Sequence, residues 1–175
     1  LTEDSNLKLQ IQDSIRGAKK LGSPYVILVS KNSFEPYSKA VPSQQSSSMS
    51  REEAISQIIN ELTSNDVVIC TTGKASRELY DLRQSSNRSS IGDFLMVGSM
   101  GHASSIALGV ALQDTERNIY CIDGDGALLM HMGSLAISSK CKNLIHIVIN
   151  NKSHDSVGGQ PTMSEFVDLL KISKA

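Results

Sequence analysis

Ile119-Tyr120-Cys121-Ile122-Asp123-Gly124-Asp125-Gly126 joins an apolar run to a helical pattern over residues 127–137. Asn150-Asn151 follows the next apolar run, roughly two dozen residues after Asp125, which suits one helix and the next strand of a parallel sheet. Both polar groups then reach the same sheet edge. A carboxylate and a carboxamide suit a hard cation, and glycines let the backbone approach an anion. The stretch therefore predicts a site for Mg²⁺ and a diphosphate.

The same succession of strand, polar turn and helix repeats through most of the chain. Strands are predicted over residues 66–70, 94–97, 119–122 and 144–149, and helices over 76–83, 104–112, 128–139 and 164–172. Such alternation predicts an α/β fold, a three-layer doubly wound parallel sheet with helices on both faces. Functional groups in such a fold belong at the carboxyl ends of the strands.

Small polar residues follow all four predicted strands. A single Gly-Asp-Gly is more often an ordinary turn, because Gly and Asp suit turn conformations. Four such segments that converge at one edge favour a binding site. The segments are Thr71-Thr72-Gly73-Lys74, Gly98-Ser99-Met100-Gly101-His102, Asp123-Gly124-Asp125-Gly126, and Asn150-Asn151-Lys152-Ser153-His154-Asp155.

Gly124-Asp125-Gly126 with the later Asn150-Asn151 resembles the diphosphate-binding motif of thiamine diphosphate enzymes. The region is similar to their PP domain, which implies thiamine diphosphate and Mg²⁺ as cofactors. The resemblance assigns the metal ligands to Asp125, Asn151 and the main-chain carbonyl of Ser153. It also implies that the amides of Gly126 and Ala127 bind the diphosphate.

Gly98-Ser99-Met100-Gly101 resembles the loop that holds this cofactor bent, with a large apolar residue as the wedge. Met100 is then the wedge, and main-chain groups of Gly98 and Met100 hold the pyrimidine. The alternative is an ordinary core methionine. The resemblance assigns the remaining cofactor contacts to Thr72, Gly73, Lys74, Ser99 and Gly124.

The segment 150–162 narrows the resemblance to the phosphonopyruvate decarboxylase family, through His154-Asp155-Ser156-Val157 and Gly158-Gly159-Gln160-Pro161-Thr162. This implies decarboxylation of 3-phosphonopyruvate to phosphonoacetaldehyde and carbon dioxide, in phosphonate biosynthesis. A sulfopyruvate decarboxylase subunit, or another thiamine diphosphate-dependent 2-keto acid decarboxylase, is the alternative within the family. A non-catalytic phosphate-binding α/β module is the alternative of another class.

His154, beside the proposed metal ligands, is the candidate catalytic residue, for proton delivery or a hydrogen bond to the phosphonate. Lys74, Arg77 and Lys152 are candidates to offset the substrate's negative charge, although such side chains are mostly solvated. His102 can reach the site from its loop. His146, within a strand, is interpreted as structural, and His131 is assigned no role.

Three segments are predicted along the chain: residues 1–37 as the end of a PYR domain, 38–50 as a serine-rich linker, and 51–175 as a PP domain truncated at its C-terminus. A helix over 5–21 and a strand over 25–29 precede the linker. Ser50 and Glu53 form a capping box that opens the next helix. The lack of an initiating Met and the end just after a helix-like run suggest a fragment.

The family resemblance also implies a glutamate that activates the cofactor, supplied by a PYR domain, usually of a neighbouring subunit. Glu35, in Ser-Phe-Glu-Pro, does not match the context of that glutamate. We therefore expect the glutamate outside this chain, a homo-oligomeric parent enzyme, and no activity from the chain alone.

Composition excludes several classes of function. The 175 residues carry 17 Lys and Arg against 18 Asp and Glu, a net charge of −1, so no general attraction to nucleic acid is expected. No apolar stretch approaches the ~20 residues that span a bilayer, and the start is no signal peptide. Cys70, Cys121 and Cys141 form no CxxC pair and are expected to be free thiols. The sequence predicts a cytoplasmic protein that contacts no membrane.

Overall fold

The computed structural model describes residues 7–31, 33, 49–86 and 92–174. The chain divides into two compact units, Leu1–Ala40 and Val41–Ala175. In the first unit, helix α1 (Leu7–Leu21) ends at Gly22, which has a left-handed φ of 61° and donates its N–H to the carbonyl of Ala18 at 3.0 Å. Glycine ends helices in this way because it lacks a Cβ. The predicted helix is confirmed over the described residues.

The strand predicted over residues 25–29 is wrong, because residues 24–30 have no regular secondary structure. A strand is stabilised by hydrogen bonds to a neighbouring strand, and the described residues of this unit include no other strand that could pair with it. Val26 and Leu28 are 76% and 82% exposed, while the Tyr25 ring lies against Gly17. Of the predicted linker only Met49 and Ser50 are described, so its bounds stay a prediction.

The second unit opens with α2 (Arg51–Glu61), and its predicted capping box is confirmed. The Ser50 hydroxyl accepts the Glu53 N–H at 3.1 Å, and the Ser50 N–H donates to the Glu53 carboxylate at 2.7 Å. Each residue thus satisfies a backbone donor at the helix start that would otherwise lack a partner. On the inner face of α2, Ile55 and Ile59 are buried.

Four parallel strands form the sheet, which confirms the predicted α/β fold. They are β1 (Val67–Cys70), β2 (Asp93–Leu95), β3 (Ile119–Gly124) and β4 (Leu144–Ile149), in the spatial order β2-β1-β3-β4. Helices α3 (Lys74–Ser85) and α4 (Ala103–Gln113) follow β1 and β2. The bounds of these four strands and two helices differ by at most two residues from the predicted ones.

Helices cover both faces of this sheet. On one face, Ala103, Ala107 and Ala111 of α4 pack against Ile69 and Ile119. The alanines recur every four residues, so one small-residue stripe of α4 faces the strands. On the other face, the buried side chains of α2 and α3 pack against the alternate residues of β1, namely Val68 and Cys70. Because the strands are parallel, their carboxyl ends, and the segments that follow them, lie at one edge of the sheet.

Two predicted helices are broken. The helix over 128–139 is α5 (Asp125–Met130) and α6 (Ser134–Ser138), separated at His131, whose backbone leaves the helical region with φ −137° and ψ 43°. The helix over 164–172 is a 3₁₀ turn, Met163–Phe166, and then α7 (Leu169–Ile172). The Asp168 side chain accepts the Lys171 N–H at 3.1 Å, so Asp168 begins a new helix.

A short hairpin between β4 and the 3₁₀ turn Met163–Phe166 has no counterpart among the predicted elements. Strand β5 (Ser153–His154) pairs antiparallel with β6 (Gln160–Pro161), around a 3₁₀ turn, Asp155–Val157. The hairpin folds the segment after β4 back toward the sheet edge.

The three cysteines are free thiols, as predicted. Burial raises the pKa of Cys70 to about 12, and it raises the pKa of Cys121 as well. Among the described residues, no helix has the length and apolar character that crossing a membrane requires.

Candidate cofactor site

The carboxyl ends of the four strands meet at one edge of the sheet. From β1 the chain crosses to β2 on one side and then returns to β3 on the other, so the strand order reverses between β1 and β3. Open α/β sheets bind ligands at this position. We call the segments at the carboxyl ends of β1, β2, β3 and β4 the first loop (71–74), second loop (98–102), third loop (123–126, which includes the last two residues of β3) and fourth loop (150–164).

Asp125, the first residue of α5, is a buried carboxylate held by the end of the fourth loop. Its Oδ2 accepts hydrogen bonds from the hydroxyls of Thr162 and Ser164, the second at 2.7 Å. Within the described part of the chain, no donor reaches Oδ1. Two bonds to one oxygen orient the carboxylate and leave the other oxygen available to a cation.

Asn151 lies in the fourth loop, just after β4, and Asp125 lies just after the neighbouring strand β3. Nδ2 of Asn151 donates to Asp155 Oδ2 at 3.2 Å, and its Oδ1 accepts the N–H of Ser153 at 3.0 Å. Between them Lys152 has a φ of 56°, a left-handed conformation that costs a residue with a Cβ about 1 kcal/mol or more. The donor set of carboxylate, carboxamide and main-chain oxygens fits Mg²⁺, which prefers oxygen ligands.

The third and fourth loops also pack closely at Gly126. A Cβ on Gly126 would lie 2.6 Å from Cε1 of His154 and 3.2 Å from Cγ2 of Thr162. The His154 ring therefore covers the backbone of Gly126, one residue from Asp125. This contact places the candidate catalytic residue beside the candidate metal ligand.

The first loop joins this cluster through Ser156. The hydroxyl of Ser156 accepts the N–H of Lys74 at 3.0 Å. A Cβ on Gly73, whose φ is 98°, would lie 2.4 Å from the same hydroxyl oxygen. Only glycine allows this approach of the first loop to the fourth.

The second loop contacts both the first loop and the segment that follows the third loop. The N–H of Gly98 donates to the Thr72 hydroxyl at 2.9 Å, which ties the second loop to the first. At Gly101, which is buried, a Cβ would lie 2.4 Å from Nδ1 of His131 and 3.0 Å from the carbonyl oxygen of Ala127. The rings of His131 and His102 lie 4.2 Å apart between their centroids.

Asp123, the first residue of the third loop, is a second buried carboxylate, 1% exposed. Its Oδ1 accepts the N–H of Gly124 at 3.0 Å, and its Oδ2 lies 3.4 Å from Nε2 of His146 in β4. These partners compensate for the burial of Asp123, in keeping with the structural interpretation of His146.

Residues 71–171 match the protein family described as thiamine pyrophosphate enzyme, C-terminal TPP binding domain. This chain belongs to the thiamine pyrophosphate enzyme family. Thiamine pyrophosphate and thiamine diphosphate are the same cofactor. The matched region begins in the first loop and ends in α7, so it contains all four loops.

Relatives with two different names are similar to this chain. Over 138 residues it is 42% identical to phosphonopyruvate decarboxylase of Streptomyces viridochromogenes, and over 127 residues 43% identical to that of Streptomyces hygroscopicus. Over 129 residues it is 40% identical to sulfopyruvate decarboxylase subunit beta of Methanothermobacter thermautotrophicus. These matches cover 78%, 71% and 73% of this chain. They cover only 33%, 30% and 66% of the relatives, and the two names are supported about equally.

The cofactor and metal residues that the family resemblance assigns, and the candidate catalytic residue His154, all lie at the same sheet edge. Their roles in binding remain predictions. They are Thr72, Gly73, Lys74, Gly98, Ser99, Met100, Gly124, Asp125, Gly126, Ala127, Asn151, Ser153 and His154. The side chains of Lys74, Arg77 and Lys152 are exposed.

The residues that hold the metal-site side chains in place are not evident from the sequence. They are Thr162, Ser164 and Arg51. Thr162 and Ser164 lie 37 and 39 residues from Asp125 in sequence, so no local pattern relates them to it. His131, assigned no role, contacts the second loop.

Proposed function

We propose that this protein takes part in the thiamine diphosphate- and Mg²⁺-dependent decarboxylation of 3-phosphonopyruvate, which yields phosphonoacetaldehyde and carbon dioxide for phosphonate biosynthesis. The observation that carries the proposal is the contact of Asp125 with the fourth loop. One oxygen of this buried carboxylate is bound by Thr162 and Ser164, and the other faces no donor of the described chain. Family membership and the names of the Streptomyces relatives support the same reaction.

In this proposal Asp125, Asn151 and the carbonyl of Ser153 hold Mg²⁺, and the amides of Gly126 and Ala127 bind the diphosphate. Main-chain groups of the second loop bind the pyrimidine, with Met100 as the wedge. When bound, thiamine diphosphate supplies the electron sink that lets carbon dioxide leave. The chain itself contributes position, because the three-layer fold fixes all four loops at one edge.

His154 is proposed to donate a proton or a hydrogen bond to the substrate. Its ring is held over Gly126, beside the candidate metal ligands, and it is only partly buried. A substrate with a carboxylate and a phosphonate also needs positive charge, which Lys74, Arg77 and Lys152 can supply from exposed positions.

The proposed partner is a PYR domain, from a neighbouring subunit of a homo-oligomer, that brings the activating glutamate. Residues 1–175 purified alone are therefore expected to release no carbon dioxide from phosphonopyruvate. A sulfopyruvate decarboxylase is the second candidate, because the Methanothermobacter relative is matched over 66% of its length.

The proposal is tested by purifying the protein in its native assembly and supplying thiamine diphosphate and Mg²⁺. Carbon dioxide release is measured with phosphonopyruvate, sulfopyruvate and pyruvate. We expect kcat/KM to favour phosphonopyruvate by about tenfold or more, which corresponds to ~1.4 kcal/mol of transition-state binding. A preference for sulfopyruvate would establish the second candidate. No turnover and no cofactor binding would leave the non-catalytic phosphate-binding module.

A further inference from the structure

The geometry points to Arg51 as a positioning residue that orients the carboxamide of Asn151 toward the metal. This inference rests on the proposed function, because it concerns the same Mg²⁺ site. Arg51 lies outside the four loops, and 104 residues of sequence separate it from its partner Asp155.

Arg51 binds two carboxylates at once. Its Nε and Nη2 donate to the two oxygens of Glu78, each at 2.7 Å, in a fork-to-fork arrangement. Its Nη1 donates to Oδ2 of Asp155 at 2.9 Å. The side chain of Arg51 is 16% exposed, and those of Glu78 and Asp155 are 24% and 27% exposed, so water screens these contacts only in part.

The same oxygen of Asp155 accepts the Nδ2–H of Asn151 at 3.2 Å. A carboxylate can only accept hydrogen bonds, so it binds the nitrogen of the carboxamide and repels the oxygen. Asp155 therefore fixes which way the Asn151 amide points. Its Oδ1 keeps one lone pair beyond the bond from the Ser153 N–H, and this is the lone pair that a metal ligand needs.

Arg51 holds Asp155 at this position through a charge-assisted hydrogen bond to the same oxygen that binds Asn151. Glu78 in turn, through its two hydrogen bonds, raises the pKa of Arg51, so the guanidinium remains charged. The resulting chain of contacts runs from Glu78 through Arg51 and Asp155 to Asn151.

Local sequence places Arg51 at the start of this chain of contacts. Ser50 and Glu53 begin α2 through the capping box, and Arg51 is the first helical residue. A lysine at this position carries the same charge but presents one nitrogen, which cannot span both carboxylates with the geometry of a guanidinium.

The test measures Mg²⁺ affinity by calorimetry at saturating thiamine diphosphate, in the protein in its native assembly. Arg51→Lys is expected to weaken Mg²⁺ binding by about tenfold or more, as loss of a residue that orients a metal ligand does. The melting temperature of the ligand-free protein is recorded in parallel. Asp155→Asn, which adds no volume, is expected to weaken Mg²⁺ binding likewise, and it replaces Arg51→Lys if that variant does not fold.

Arg83→Lys is the matched control. Arg83 makes a similar two-bond contact with Asp93, at 2.9 Å and 2.9 Å, at the opposite edge of the sheet, where β2 begins. This variant is expected to lower the melting temperature and leave Mg²⁺ affinity within about twofold of the original, since Arg83 contacts no metal-site residue among those that the structure describes.

The outcomes separate this inference from the proposed function. If the original protein binds no Mg²⁺ with thiamine diphosphate, the proposed function fails and the role of Arg51 fails with it. If the original protein binds both and Arg51→Lys and Asp155→Asn bind Mg²⁺ equally well, only the positioning role is overturned. An equal loss of Mg²⁺ affinity in Arg83→Lys would also overturn it, because a general loss of stability would then explain the effect.

Discussion

Gly126 shows how one missing Cβ shapes the candidate site. The position is helical and has no unusual φ, so conformation alone does not require glycine there. Space does, because the His154 ring and the Thr162 methyl group lie within 2.6 to 3.2 Å of where a Cβ would be. The residue thus keeps the third and fourth loops in contact.

Gly126→Ala is expected to destabilise the protein by about 1–3 kcal/mol, as other insertions into packed sites do, although alanine is the better helix former. It is also expected to weaken binding of Mg²⁺ and thiamine diphosphate, because His154 and Thr162 must move. Urea unfolding and calorimetry measure the two effects.

Gly109→Ala, in the middle of α4, is the control for this substitution. Its Cβ would meet nothing within 4 Å among the described residues, so stabilisation of up to about 1 kcal/mol is expected. If Gly126→Ala were as stable as Gly109→Ala, the close packing of the loops would be refuted.

At the scale of single residues, the candidate metal-site residues can be predicted from the sequence, but the residues that orient their side chains cannot. Asp125 and Asn151 follow apolar strands, and that position is visible in the sequence. The hydroxyls that bind Asp125, and the guanidinium that holds Asp155, come from distant segments. Their contacts depend on the packed fold, which no local pattern encodes.

The N-terminal cap of helix α2 lies next to Arg51, which contacts the candidate metal site through Asp155. The capping box fixes where the helix begins, and the first residue of that helix is Arg51. A weaker cap would let the first turn fray, and the contact of Arg51 with Glu78 and Asp155 would weaken with it.

Ser50→Ala is expected to lower the free energy of unfolding by about 1 kcal/mol, the usual cost of losing an N-cap hydroxyl. Denaturant unfolding followed by circular dichroism measures this loss. Gln57→Ala, at an exposed position of the same helix, is the control and should change stability by less than about 0.5 kcal/mol. Equal stability of the two variants would show that the cap contributes nothing.

At the scale of elements, prediction succeeded where the signal was local. The four sheet strands and the capping box follow from apolar runs and a four-residue motif. The helix over 128–139 is interrupted because His131 leaves the helix and contacts Gly101 and His102, which its periodicity does not reveal. The strand over 25–29 lacks a partner strand in the described chain, and pairing is a property of two segments rather than one.

In the molecule as a whole, cofactor binding should be linked to stability. A ligand that binds only the folded state at one hundred times its Kd adds about 2.7 kcal/mol. Magnesium with thiamine diphosphate is therefore expected to raise the melting temperature of the protein in its native assembly, and removal of the metal with EDTA should reverse the rise.

Asp125→Ala is the decisive variant for this linkage. It removes the buried carboxylate and leaves the Thr162 and Ser164 hydroxyls without that acceptor, so the melting temperature without ligands should fall. Addition of Mg²⁺ and thiamine diphosphate should then no longer raise it. A rise equal to that of the original protein would exclude Asp125 as a metal ligand.

The contacts around the fourth loop also bear on the order of folding. Arg51 and Asp155 are 104 residues apart in sequence, and Lys74 and Ser156 are 82 apart. Contacts of such separation carry a large loop-closure entropy and form slowly, after local helices and neighbouring strands. We therefore expect the fourth loop to dock after the sheet is assembled, and we expect a nascent or partly unfolded chain to be unable to retain the proposed cofactor.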